Sequence, residues 1–115
     1  MSMTLRKFMG AGEGKAPASD FEVSLGNGRV LHYRPAATRN VTLQDPTSDI
    51  FFMAGGPYHI IINDATSPSN TLVVKTPAGD TLETLAADEV GFFSIYENSS
   101  GVRFWSSMKY PRLLP

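Results

Sequence analysis

The chain has 115 residues, a formal net charge of −1, no cysteine, and 42% apolar residues that include seven Phe, four Tyr and one Trp. That length fits one domain with a real core, and the apolar content is that of a globular chain rather than a disordered one. Near-neutrality gives no global field toward nucleic acid. The lack of cysteine excludes disulfide frameworks, thiolate metal sites and cysteine nucleophiles.

Residues 1–19 read as a flexible N-terminal arm. The stretch from Gly10 to Ser19 is rich in Gly, Ala and Pro and has no apolar period, so alone in water it should be mobile. Leu5, Phe8 and Met9, beside Arg6 and Lys7, nonetheless offer an apolar anchor with adjacent charge. A frayed terminus and a partner-binding arm are both open readings. The start lacks the uninterrupted apolar stretch of a secretory signal, and no segment approaches membrane-spanning length, so synthesis in the cytoplasm and no membrane partner are expected. Residues 1–39 carry six basic and three acidic side chains, which leaves the remainder net acidic.

From Asp20 the apolar period changes to two. Phe21, Val23 and Leu25 alternate with Glu22 and Ser24, Gly26-Asn27-Gly28 supplies a tight turn, and Arg29 to Arg34 returns. This predicts a β-hairpin. Further strands are predicted over Thr38–Gln44, Ile50–Met53, Tyr58–Ile62, Thr71–Thr76, Thr81–Leu85, Val90–Tyr96 and Val102–Trp105. Turn chemistry separates them at Asp45–Asp49, Gly55-Gly56-Pro57, Pro77–Asp80 and Asn98–Gly101. Ala86–Glu89 fits a bend. No segment holds a helical apolar period, so parallel pairing through helical crossovers is not expected. The pattern predicts an all-β domain over residues 20–107: an antiparallel β-sandwich or jelly-roll-like barrel of about eight short strands. Residues 108–115, ending Tyr110-Pro-Arg-Leu-Leu-Pro115, read as an extended C-terminal tail.

No constellation predicts catalysis. Gly10, Gly12 and Gly14 before Lys15 lack the spacing, the following Ser or Thr and the strand–helix context of a phosphate loop. His32 and His59 lie on separate strands, too few for a metal site, and read as surface or partly buried structural histidines. His59 should point opposite to Tyr58, Ile60 and Ile62. Asp45, Asp49 and Asp64 sit at turns, where Asp is common for backbone reasons. No enzyme activity, cofactor or metal is expected.

The aromatic residues fall in adjacent pairs: Phe51-Phe52, Phe92-Phe93 and Phe104-Trp105. Neighbours on a strand face opposite sides, so one of each pair should fill the core and the other should lie outside. An apolar outer patch of that kind points to an interface.

Residues 41–106 resemble a β-rich module of tailed-bacteriophage virion proteins, namely head decoration (cement) proteins and head or tail fibre components. The resemblance rests on Val41-Thr-Leu43, on Gly55-Gly-Pro-Tyr-His-Ile-Ile-Ile-Asn63 and on Leu72-Val-Val-Lys-Thr-Pro-Ala-Gly-Asp80. Leu85-Ala-Ala-Asp-Glu-Val-Gly-Phe-Phe93 and the terminal Gly101-to-Trp105 spacing complete it. At the bend this chain has Ala87-Asp88 where the module more often has Pro-Gly. The resemblance implies a non-enzymatic structural protein at the capsid surface of a virion, often trimeric, held by the major capsid protein or another virion protein. It would work by protein–protein interaction, for capsid stabilisation. The residues expected to bind the partner are Leu5, Arg6, Lys7, Phe8, Met9, Trp105, Tyr110, Leu113 and Leu114. The alternative is a tail, neck or fibre module that stacks sugars on Trp105, Tyr96 or Tyr58.

Overall fold

The computed structural model describes residues 15–24, 29–46 and 58–110. Eight strands account for its regular structure: β1 (Phe21–Val23), β2 (Val30–Tyr33), β3 (Arg39–Leu43), β4 (Tyr58–Asn63), β5 (Leu72–Lys75), β6 (Thr81–Leu85), β7 (Val90–Glu97) and β8 (Arg103–Tyr110). They form two four-stranded sheets, ordered β1-β3-β5-β6 and β2-β4-β7-β8. The two pack together as a β-sandwich, with no helix among the described residues. The expected strand over Ile50–Met53 lies outside the described residues.

The pairing departs from the antiparallel expectation. β1 pairs with β3, β3 with β5, and β2 with β4, all in parallel. The predicted β1–β2 hairpin is not formed, because those strands belong to different sheets. From β1 to β5 the chain changes sheet at every step. Parallel neighbours need a long crossover between them, and here a strand of the opposite sheet supplies it in place of a helix. The alternation explains the choice. Val23 on β1 and Leu31 on β2 both meet the core from opposite sides, so each short strand buries its apolar face on the other sheet. β4 pairs antiparallel with β7, and antiparallel hairpins form where the turn chemistry is strongest. The β5–β6 hairpin turns at Pro77–Asp80 with Gly79 at φ 94°, and β7–β8 turns at Asn98–Gly101 with Gly101 at φ 79°. Both are left-handed conformations that glycine adopts without a Cβ clash.

The core lies between the sheets. Val23, Val41, Leu43, Leu72, Val74 and Leu85 come from the first sheet, and Leu31, Ile61, Phe93 and Trp105 from the second. Burying each such side chain contributes about 1.5–3 kcal/mol. Phe21 packs across the gap on Tyr33, with ring centroids 4.6 Å apart, and burial raises the Tyr33 pKa above its ordinary value.

Two polar groups lock the crossings. Asn63 is fully buried at the end of β4. Its Nδ2 donates to the carbonyls of Asn70 (3.1 Å) and Leu85 (2.8 Å), and its Oδ1 accepts from the Ala65 N–H (2.9 Å). One side chain thus ties the β4–β5 loop to the end of β6. The neighbouring Asp64 carboxylate accepts from His32 Nε2 (3.0 Å) and from the Arg34 guanidinium (2.7 Å). That cluster fastens edge strand β2 to β4.

Strand pairing reaches past the expected strand limits at both ends of the described chain. Lys15 already bridges Tyr33 on the outer edge of β2, through hydrogen bonds from the Lys15 N–H to the His32 carbonyl and from the Arg34 N–H to the Lys15 carbonyl. β8 runs on to Tyr110, so residues 108–110 belong to the sheet and not to a tail. The core-facing side of β8 continues through Ser107, whose hydroxyl donates to the Glu83 carboxylate (3.0 Å).

The outward face of the second sheet

Strand alternation and register define which side chains leave the second sheet on its outer side. From β2 these are Val30 and His32; from β4, Tyr58, Ile60 and Ile62. β7 contributes Val90, Phe92, Ser94 and Tyr96, and β8 contributes Phe104, Ser106, Met108 and Tyr110. None of these strand positions is Asp, Glu, Lys or Arg, but charge borders the face at Arg29 over Tyr58 and at the Asp64–Arg34 pair on His32, and Ile62 and Val90 are buried. Val30, Tyr96, Phe104, Met108 and Tyr110 are each 41–54% exposed. Burying apolar area is the usual fate of such a surface, and a monomer rarely leaves so much uncovered.

The face is organised in rows. Register places Tyr58 opposite Ser94 and Ser94 opposite Ser106, with the two serine hydroxyls 3.2 Å apart. Two residues toward one end, Ile60, Phe92 and Met108 form the next row. Two residues toward the other end, Tyr96 and Phe104 pair with centroids 5.0 Å apart. Tyr58 stacks on Phe92 at 5.6 Å, and the Arg29 guanidinium lies 4.6 Å from the centroid of the Tyr58 ring. Cation–π contact fixes the orientation of that ring at the rim. Beside the serine row is a shallow hollow of about 190 Å³, lined by Phe92, Ser94, Ser106, Ser107, Met108 and Tyr110.

The aromatic pairs divide as the pleat requires. Phe93 is fully buried and Phe92 faces out. Phe104 is 41% exposed while Trp105 is 4% exposed. The Phe51-Phe52 pair lies outside the described residues.

Trp105 therefore requires a correction. It was expected at a partner surface or as a sugar-stacking platform, and it is instead a core residue. Its indole N–H donates to the Gln44 carbonyl (2.8 Å) beyond the end of β3, so it ties the two sheets together. Its ring lies 6.0 Å from that of His59. His59 does point opposite to Tyr58 and Ile60, but it is fully buried and not a surface or partly buried histidine. Burying the indole of Trp105 beside it removes that side of the strand from solvent.

Of the other expected contact residues, Tyr110 is 45% exposed at the end of β8. Leu5, Arg6, Lys7, Phe8, Met9, Leu113 and Leu114 lie outside the described residues. Tyr96 is exposed on the outward face and Tyr58 is half-buried there. Sequence reasoning missed Met108 and the second half of β8. The signal was the alternation Phe104, Ser106, Met108, Tyr110, which the two serines made polar enough to resemble a strand end.

A second concavity, of about 330 Å³, lies where the crossings meet, lined by Ala65, Thr66, Pro68 and Ala86 to Glu89. Its carboxylates serve the fold. Glu89 accepts from the Ala86 N–H (2.6 Å) and lies 3.5 Å from Lys109 Nζ, and Asp88 takes the left-handed turn position at φ 66°. Among the described residues no group of three or more His, Asp or Glu side chains is arranged to hold a metal ion. No protein-family model, no curated protein and no solved structure matches the chain.

Proposed function

We propose that the chain is a structural virion protein, a capsid decoration protein that binds the outside of the head and bridges capsid subunits to stabilise the shell. The observation that carries the reading is the exposed apolar patch on the outer face of the second sheet, where Tyr96, Phe104, Met108 and Tyr110 lie together, a surface suited to burial against protein. Placement of the chain ends supports it. Lys15 leaves the β2 edge of that sheet and Tyr110 ends the β8 edge, so the N-terminal arm and the C-terminal residues join the same sheet at opposite sides. Several modest contacts from one small body then act together, and their combined strength far exceeds that of each alone. In this reading Leu5, Arg6, Lys7, Phe8 and Met9 grip the shell from one side, and Tyr110, Leu113 and Leu114 from the other.

Co-sedimentation with shells assembled from the accompanying major capsid protein tests this. Saturable binding and a raised shell-disruption temperature are the expected results. Deleting residues 1–14, which spares Lys15 and its bridge, should weaken binding at least tenfold. Shells that sediment without the protein at tens of micromolar would overturn the reading. Unchanged binding after the deletion would remove the arm from it.

A further inference from the structure

We draw no further inference here: the strongest candidate, the exposed apolar patch of Tyr96, Phe104, Met108 and Tyr110 on the outer face of the second sheet, belongs to the surface already described, and nothing in the structure shows what covers it.

Discussion

The two sheets share one core, yet their outer faces have opposite characters. The first sheet turns Glu22, Asn40, Thr42, Val73, Lys75 and Thr84 outward, a polar set with a single apolar member. The second turns out ten apolar or aromatic side chains, of which Ile62 and Val90 are buried, with two serines and a histidine. Inward, both are apolar: the first sheet buries Val and Leu side chains, and the second adds Phe93 and Trp105 to Leu31 and Ile61. Folding needs only the inner faces, and the hydrophobic effect does not distinguish which sheet supplies them. The exposed apolar residues on that outer face are not part of the core between the sheets, and solubility would favour their removal.

The inner faces should prove equally costly to disturb, and the largest losses belong there. Trp105→Ala removes a buried indole and its hydrogen bond to Gln44, and should cost about 4 kcal/mol in a urea titration. Leu43→Ala, from the first sheet, should cost about 3 kcal/mol. Trp105→Ala that left stability unchanged but abolished partner binding would return Trp105 to the surface, where the sequence reading put it. Gly91→Ala probes the same layer by overfilling it. A Cβ there would fall 2.6 Å from the Phe93 ring and 3.1 Å from Leu85 Cδ2, for a loss of about 1–3 kcal/mol.

The second sheet differs from the first also in having a buried ionic fastening. Asp64 is 5% exposed and receives both His32 and Arg34. Asp64→Ala leaves those donors without their carboxylate. It should cost about 3 kcal/mol, reduced to the extent that the partly exposed Arg34 regains water. Asp64→Asn, which keeps the shape, should cost less. Equal losses for the two variants would show that packing, not charge, fastens β2.

On the outer faces the comparison inverts. Phe104→Glu and Thr42→Glu should each change the unfolding free energy by only about 0.5–1 kcal/mol, as surface substitutions do. Binding to capsid shells should nevertheless fall at least tenfold for the first and not for the second. If both variants bind shells like the parent, the apolar face is not a contact surface and the contrast between the sheets loses its functional meaning.

Strand positions were legible in the sequence because period-two alternation and turn residues are local signals. β4, β5, β6 and β7 lie within a residue or two of their expected limits, and the bends at Pro77–Asp80, Ala86–Glu89 and Asn98–Gly101 are where composition put them. Pairing was not legible. Phe21, Val23, Leu31 and Tyr33 show the same alternation whether β1 and β2 form a hairpin or face each other across a sandwich, and only the second occurs. The site was half legible. Parity says that one of Phe104 and Trp105 faces out, but which one depends on the sheet that β8 joins and the side of it that meets the core. Asp64 stands 30–32 residues from Arg34 and His32 in the sequence, and only the parallel β2–β4 register brings them together.

The smallest effect belongs to the polar sheet and is a matter of pH. Asp20 precedes β1 and accepts from the Asn40 backbone N–H (2.8 Å) and side-chain amide (3.1 Å), which ties the start of β1 to β3. The backbone hydrogen bond, then the side-chain one, holds the Asp20 carboxyl below its ordinary value of 3.8, with Arg39 and Lys75 adding to the shift. A carboxyl whose folded pKa is depressed contributes stability that is present above the unfolded pKa and is lost as pH falls through the folded one. The contribution is therefore intact at neutral pH and fades below about pH 4. Asp20→Asn should lose a little stability at pH 7 and have a flatter stability profile between pH 5 and 2 than the parent. Because the carboxyl lies in water, added salt should shrink the difference. Parallel acid profiles for the two proteins would mean that Asn40 holds β1 to β3 without help from charge. The anchoring of the polar sheet would then rest on geometry alone.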